Sequence, residues 1–188
     1  MKYISKGVVV EKSTEAILNI TRCGVNFQLT GEQAALWLNG RFGFAEADDG
    51  NPILHKALTH LLRQELVEPA ENGTVGEYRA LTQCVIVPAK VSGCRGLLSK
   101  EERRLLKWIR EAGLRLTMAE LVFLTENEVA PEEHLLGEKN RQRLTGEIYT
   151  ADTIFDNILE SKMEHAKSRD AVVRTVLQLL RKKRILLL

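Results

Sequence analysis

The chain is poor in the residues that would announce a special class. Aromatics make up 5% of its 188 residues, and there are 4 prolines and 3 cysteines. Cys23, Cys84 and Cys94 are odd in number and never fall two residues apart, which argues against a disulfide framework or a zinc knuckle. No apolar run approaches the roughly 18 residues that a membrane helix needs, and no apolar stretch follows Met1-Lys2-Tyr3-Ile4-Ser5 as a signal peptide would require. The expectation is a cytoplasmic protein with no membrane partner. Phosphate-binding Gly-x-x-x-x-Gly-Lys, dinucleotide-binding Gly-x-Gly-x-x-Gly and metal-binding His-Glu-x-x-His are all missing. His55, His60, His134 and His165 are scattered, so the reading is a non-enzyme with no cofactor and no metal.

What is present is an ordinary globular balance: 44% hydrophobic, 28% charged, formal net charge +2. The length suffices for one large or two small domains. The first thirty residues alternate and favour strands at Tyr3-Ile4, Val8-Val9-Val10, 16–20 and 25–29. Thr30 and Gln33 have capping-box spacing ahead of a helix over 31–40. Gly40, Gly43 and Asp48-Asp49-Gly50-Asn51 break the pattern, and Pro52 opens a second helix to about 64. Leu66-Val67, the turn-rich Glu71-Asn72-Gly73-Thr74 and the stretch 78–87 read as strand, hairpin turn and strand.

A linker is expected over 91–97, separating a module of residues 1–90 from a mainly helical one of 98–188. Ser99 with Glu102 and Thr117 with Glu120 mark two helix starts. Pro131 opens a less regular element towards Leu144. Apolar positions from Ile154 to Ala166 and from Val172 to Leu180 give two amphipathic helices, the last capped by Ser168. The ending Ile185-Leu186-Leu187-Leu188 is either a last helical turn or a short strand. The fold class is therefore α+β, antiparallel strands first and helices after.

Helix from Thr30, broken turn, helix from Pro52 and hairpin over 66–87 together resemble a winged helix-turn-helix domain, most of all in the stretch Ala57-Leu58-Thr59-His60-Leu61-Leu62-Arg63-Gln64-Glu65-Leu66-Val67. The helix expected between Gly40 and Asn51 is short or missing. Leu61-Leu62-Arg63-Gln64-Glu65-Leu66-Val67 aligns without gaps on Leu179-Leu180-Arg181-Lys182-Lys183-Arg184-Ile185, an internal echo that suggests a second, degenerate copy.

The resemblance implies a recognition helix entering a groove of duplex DNA, with Lys56, Thr59, His60 and Arg63 as its outward residues beside His55. The C-terminal run adds Arg169, Arg174, Gln178, Arg181, Lys182, Lys183 and Arg184, residue types suited to phosphate and base edges. The favoured expectation is a DNA-associated regulatory or accessory protein, a possible homodimer. The alternative is a protein- or peptide-interaction adaptor. There the strand edge over 8–29 accepts a peptide, and Asp152, Asp156, Glu160 and Glu164, spaced four apart on one helix, face a basic partner. Small winged-helix peptide-recognition domains of modified-peptide biosynthesis are similar in their strand-first order.

Overall fold

A computed structural model describes residues 1–10, 16–48, 50–89, 96–111, 116–150 and 155–188. Strands β1 (Lys2–Ser5), β2 (Val8–Val9), β3 (Leu18–Arg22) and β4 (Val25–Leu29) come first, as the alternation predicts. Helix α1 (Gly31–Asn39), strand β5 (Ala45–Glu46), helix α2 (Pro52–Arg63) and strand β6 (Val67–Ala70) follow. Next are α3 (Thr74–Thr82), β7 (Ile86–Pro88), α4 (Lys100–Glu111) and α5 (Met118–Glu126). Two 3-10 turns, Glu133–Leu135 and Glu138–Asn140, lead to α6 (Arg141–Ile148), α7 (Asp156–Glu164), α8 (Arg169–Arg181) and β8 (Ile185–Leu187). The fold is mixed, with small antiparallel sheets near the N-terminus and helices after them. Among the described residues no helix is long and apolar enough to cross a membrane.

Residues 74–82 correct the sequence reading. The expected hairpin turn and strand are helix α3. Tyr78 and Leu81, three apart, both sink into the larger core, a helical and not an alternating pattern. Gly73, at φ 90°, turns the chain into the helix, and a Cβ on Gly76 would stand 2.3 Å from the carbonyl oxygen of Glu71. Only glycine lets the first turn fold back so tightly. With α3 in that place, β6 has no following strand to pair with and joins β1 instead.

The internal echo has a structural counterpart. In the first repeat β1 is the middle strand, with Tyr3 opposite Ala45 on one side and Pro69 on the other. In the second, β7 is the middle strand: Ile86 bridges Leu116 on one side and pairs with Leu187 on the other. The register continues in step, Ser5 opposite Val67 and Pro88 opposite Ile185. Each last helix also ends in the same way. Glu65 N–H donates to the Leu62 carbonyl and Leu66 N–H to Leu61, each at 2.9 Å; Lys183 and Arg184 do the same to Leu180 and Leu179, again at 2.9 Å. This is the Schellman ending, and its left-handed residue is Glu65 (φ 55°) or Lys183 (φ 56°).

The repeats differ in what is inserted. The first places the β2-β3-β4 sheet between its middle strand and α1; the second places α5, α6 and α7 between Leu116 and α8. Consequently α8 packs against α3, α4 and α5, whereas α2 packs chiefly against α1 and β6. The amino acids follow this difference. Val173 and Leu177, covered in α8, correspond to His55 and Thr59 in the less covered α2.

One core gathers Tyr3, Ile20, Leu29, Trp37, Leu58 and Leu61; the larger one gathers Trp108, Ile109, Leu121, Val176, Leu179 and Ile185. Tyr78, Leu81, Cys84 and Ile86 belong to the larger core, so packing crosses the expected boundary at residue 90. Most of the expected linker, 91–95 of 91–97, lies outside the described residues. The two repeats meet where Gly7 N–H donates to the Leu187 carbonyl at 2.7 Å.

Candidate functional site

Helix α2 begins where Asn51 accepts hydrogen bonds from Ile53 N–H (3.0 Å) and Leu54 N–H (3.4 Å), with Pro52 in the first turn. Ala57, Leu58 and Leu61 are buried, which turns Lys56, His60 and Arg63 outward at helical spacing i, i+4, i+7. Thr59 is half-buried and donates its hydroxyl to the His55 carbonyl (2.8 Å), so it is partly satisfied within the helix. With Thr30, Glu32 and Gln33 of the α1 start, this face lines an open groove of about 840 Å³. The expected capping box at Thr30 is not formed by its side chain.

On α8 the buried stripe is Val172, Val173, Val176, Leu177, Leu179 and Leu180, which leaves Arg174, Gln178 and Arg181 exposed. The repeat makes these the counterparts of Lys56, His60 and Arg63. Both helices thus present a cation, a hydrogen-bonding side chain and an arginine in the same order, at the same distance from the same helix ending. Ser168 does not cap α8 by its hydroxyl; its N–H donates to the Glu126 carboxylate (2.8 Å).

Other members of the basic run have partners inside the protein. Lys182 Nζ reaches both oxygens of Glu102 (2.6 and 2.7 Å) and the Leu97 carbonyl (2.8 Å). The Glu102 side chain is 1% exposed. Burial pushes its carboxyl up, but the bonds from Lys182 and the Ser99 N–H outweigh this and hold it below the usual carboxylate range. Glu102 also closes the expected capping box with Ser99, so the pair ties the start of α4 to the end of α8. Arg169 is held by Asp170 (2.7 Å) and by the Glu164 carbonyl. Arg184 donates to the Gly96 carbonyl (3.3 Å).

Lys183 faces the other repeat: its ammonium lies 5.0 Å from the Phe42 ring centre. The Arg41 guanidinium stands 4.8 Å from the same ring and 5.6 Å from Trp37. Arg41 and Phe42 were not singled out by the sequence. No linear pattern joins them to a cluster about 140 positions later; only the meeting of the repeats does.

Members of the acidic stripe have partners within the protein. Asp152 lies outside the described residues. Asp156 accepts from the Tyr149 hydroxyl, and Glu164 takes Arg79 of α3 in a two-pronged pair, both bonds 2.9 Å. Glu160 accepts the Tyr78 hydroxyl at its backbone carbonyl (2.9 Å), while burial and then the Asp156 charge push its carboxyl up. The contacts of Tyr78 and Arg79 clamp α7 to α3, and that of Tyr149 ties its start to the end of α6. The other feature of the alternative reading is exposed: β4 is an edge of the β2-β3-β4 sheet, and four of its five residues are at least partly open to solvent.

Burial pushes the Cys84 thiol up to about 12, and the thiol donates to the Ala80 carbonyl. Burial also pushes up the carboxyl of Glu120, whose oxygens serve the Thr117 cap and Tyr149. Among the described residues no group of three His, Cys, Asp or Glu side chains is placed to hold a metal ion. The chain matches no protein-family model, and neither a curated protein nor a solved structure is significantly similar to it.

Proposed function

We propose that the chain is a non-enzymatic, cytoplasmic, DNA-associated accessory or regulatory protein, built of two reduced winged-helix units that each offer one helix to duplex DNA. One observation carries this reading: Lys56, His60 and Arg63 on α2 and Arg174, Gln178 and Arg181 on α8 occupy matching positions of a repeated helix-to-strand ending, all on the outward face. A protein that merely needed solvated helix faces has no reason to repeat this order of side chains. Arginine and lysine neutralise phosphate, and arginine and glutamine also match base edges in the major groove. Thr59 contributes at most its partly buried edge.

The roles then divide. Lys56, Arg63, Arg174 and Arg181 supply charge; His60 and Gln178, in the middle of each triplet, supply hydrogen-bonding groups that read the duplex. Lys182, Arg169 and Arg184, bound to Glu102, Asp170 and Gly96, hold the second helix in place. The chain carries two helix faces, so a monomer can contact two stretches of groove.

Titration of the full chain with a random-sequence duplex at several salt concentrations tests this. Binding that weakens steeply from 50 to 200 mM salt is expected, because each neutralised phosphate releases counterion at a slope of about 0.9 in log–log form. Absence of binding at 50 mM salt contradicts the reading.

A further inference from the structure

We propose that Arg41, at the seam between the two repeats, is a phosphate contact for the nucleic-acid backbone, acting beside Lys183 and Arg181. The inference rests on the DNA-associated reading and extends it to a residue outside both helix faces.

The seam is built by three elements. Helix α1 ends at Gly40, which packs so closely on β1 that a Cβ there would lie 2.5 Å from Ser5 Oγ and 2.9 Å from the Tyr3 ring. That contact fixes where Arg41 and Phe42 leave the helix. The end of α8 approaches from the other repeat: a Cβ on Gly43 would lie 3.7 Å from Arg181 Nε, and Lys183 lies over Phe42. The left-handed turn at Lys183 aims the side chain across the seam. Phe42 is therefore flanked by two cations from opposite repeats, Arg41 at 4.8 Å and Lys183 at 5.0 Å.

Among the described residues neither Arg41 nor Arg181 has a carboxylate within ion-pair distance, in contrast to Arg22, Arg79, Arg169, Lys2, Lys6 and Lys182. Arg41 Nε is buried and makes no hydrogen bond. Burial also lowers the Arg41 pKa from its usual value, as expected of a cation partly taken out of water. A guanidinium prepared in this way, 4.8 and 5.6 Å from two aromatic ring centres, suits a doubly bonded anion. Phosphodiester is the anion that also continues along both neighbouring helix faces.

The test measures binding of the full-length wild type, Arg41→Gln and Arg41→Lys to a 16-base-pair random duplex over 50–200 mM salt. Arg41→Gln should lower the salt slope by about 0.9, equivalent to a roughly 3.5-fold smaller affinity change across that range. Arg41→Lys should keep the wild-type slope at reduced affinity, because it keeps the charge and loses the fork. In the wild type, the Arg41 Nε–Hε resonance should move on adding the duplex, a readout that needs no substitution and holds even if a variant unfolds. Wild-type binding together with an unchanged slope in Arg41→Gln overturns this inference and leaves the function standing. An unmoved Arg41 resonance in the presence of bound duplex overturns it likewise, as does an equal movement with inorganic phosphate alone. No duplex binding by the wild type overturns both.

Discussion

The two repeats share a strand register and a helix ending but diverge where their surroundings differ. Residue 64, at the end of α2, is a glutamine whose buried Oε1 has no partner; residue 182, at the end of α8, is a lysine locked onto Glu102. The same backbone thus serves a lightly covered helix in one repeat and a helix packed on three sides in the other. Covering α8 allows Val173 and Leu177, and adds a buried ion pair; leaving α2 open requires His55 and Thr59. The backbone plan is kept by local hydrogen bonds, and the side chains report the neighbours.

The comparison is broken most severely at the shared core position. Leu61 and Leu179 are both fully buried and both accept the Schellman bond, so Leu61→Ala and Leu179→Ala should each destabilise by about 3 kcal/mol. Urea unfolding of the two variants should give similar losses. A loss at one position and none at the other would mean that the repeats do not carry equivalent loads.

Position 64/182 should separate them. Lys182→Met strips the ammonium from a carboxylate that is 1% exposed, and should cost about 2 kcal/mol, less than a fully buried pair because Lys182 itself is 29% exposed. Gln64→Met removes an unpaired buried oxygen and should be neutral or slightly stabilising. Replacing both partners together, Glu102→Leu with Lys182→Met, should recover most of the loss. The pH dependence follows from the depressed Glu102 carboxyl. Its folded pKa lies below the unfolded value near 4.3, so its contribution is complete above that value and is lost as pH falls through the folded pKa. Wild-type stability measured at pH 6 and pH 3.5 should therefore fall more than that of the doubly apolar variant.

The smallest effect is expected at the left-handed residues. Glu65→Gly and Lys183→Gly each relieve a non-glycine residue at positive φ, and should raise stability by about 0.5–1 kcal/mol. Glu65 also gives up an exposed bond to Arg22, worth little in water. Parallel gains in thermal unfolding would sharpen the equivalence of the two endings.

Much of this plan was legible in the chain. The alternation of residues 1–30 gave β1 to β4, and the boxes at Ser99 and Thr117 gave the starts of α4 and α5, because both signals are local. The gapless match of 61–67 with 179–185 marks two helix endings with the same hydrogen bonds, because a helix ending is encoded in a few consecutive residues. Helix α3 was hidden: Tyr78, Thr82 and Val85 favour strands, and what overrides them is burial of Tyr78 and Leu81 against helices far along the chain. The same limit applies to the site. Outward faces could be read from helical spacing, but the capture of Lys182 by Glu102 and of Glu164 by Arg79 spans about 80 residues, as does no periodic signal. Arg41 beside Lys183 is the extreme case.

The central claim is that α2 and α8 present matching faces to duplex DNA. It is tested most directly by the salt dependence of duplex binding in three full-length variants: Lys56→Gln with Arg63→Gln, Arg174→Gln with Arg181→Gln, and all four together. Each pair should lower the log–log slope by about 1.8, and the fourfold variant by about 3.6, if every cation neutralises one phosphate. All three should keep the wild-type melting behaviour, because these side chains are exposed. A folded fourfold variant that binds duplex with the wild-type affinity and slope would contradict the claim.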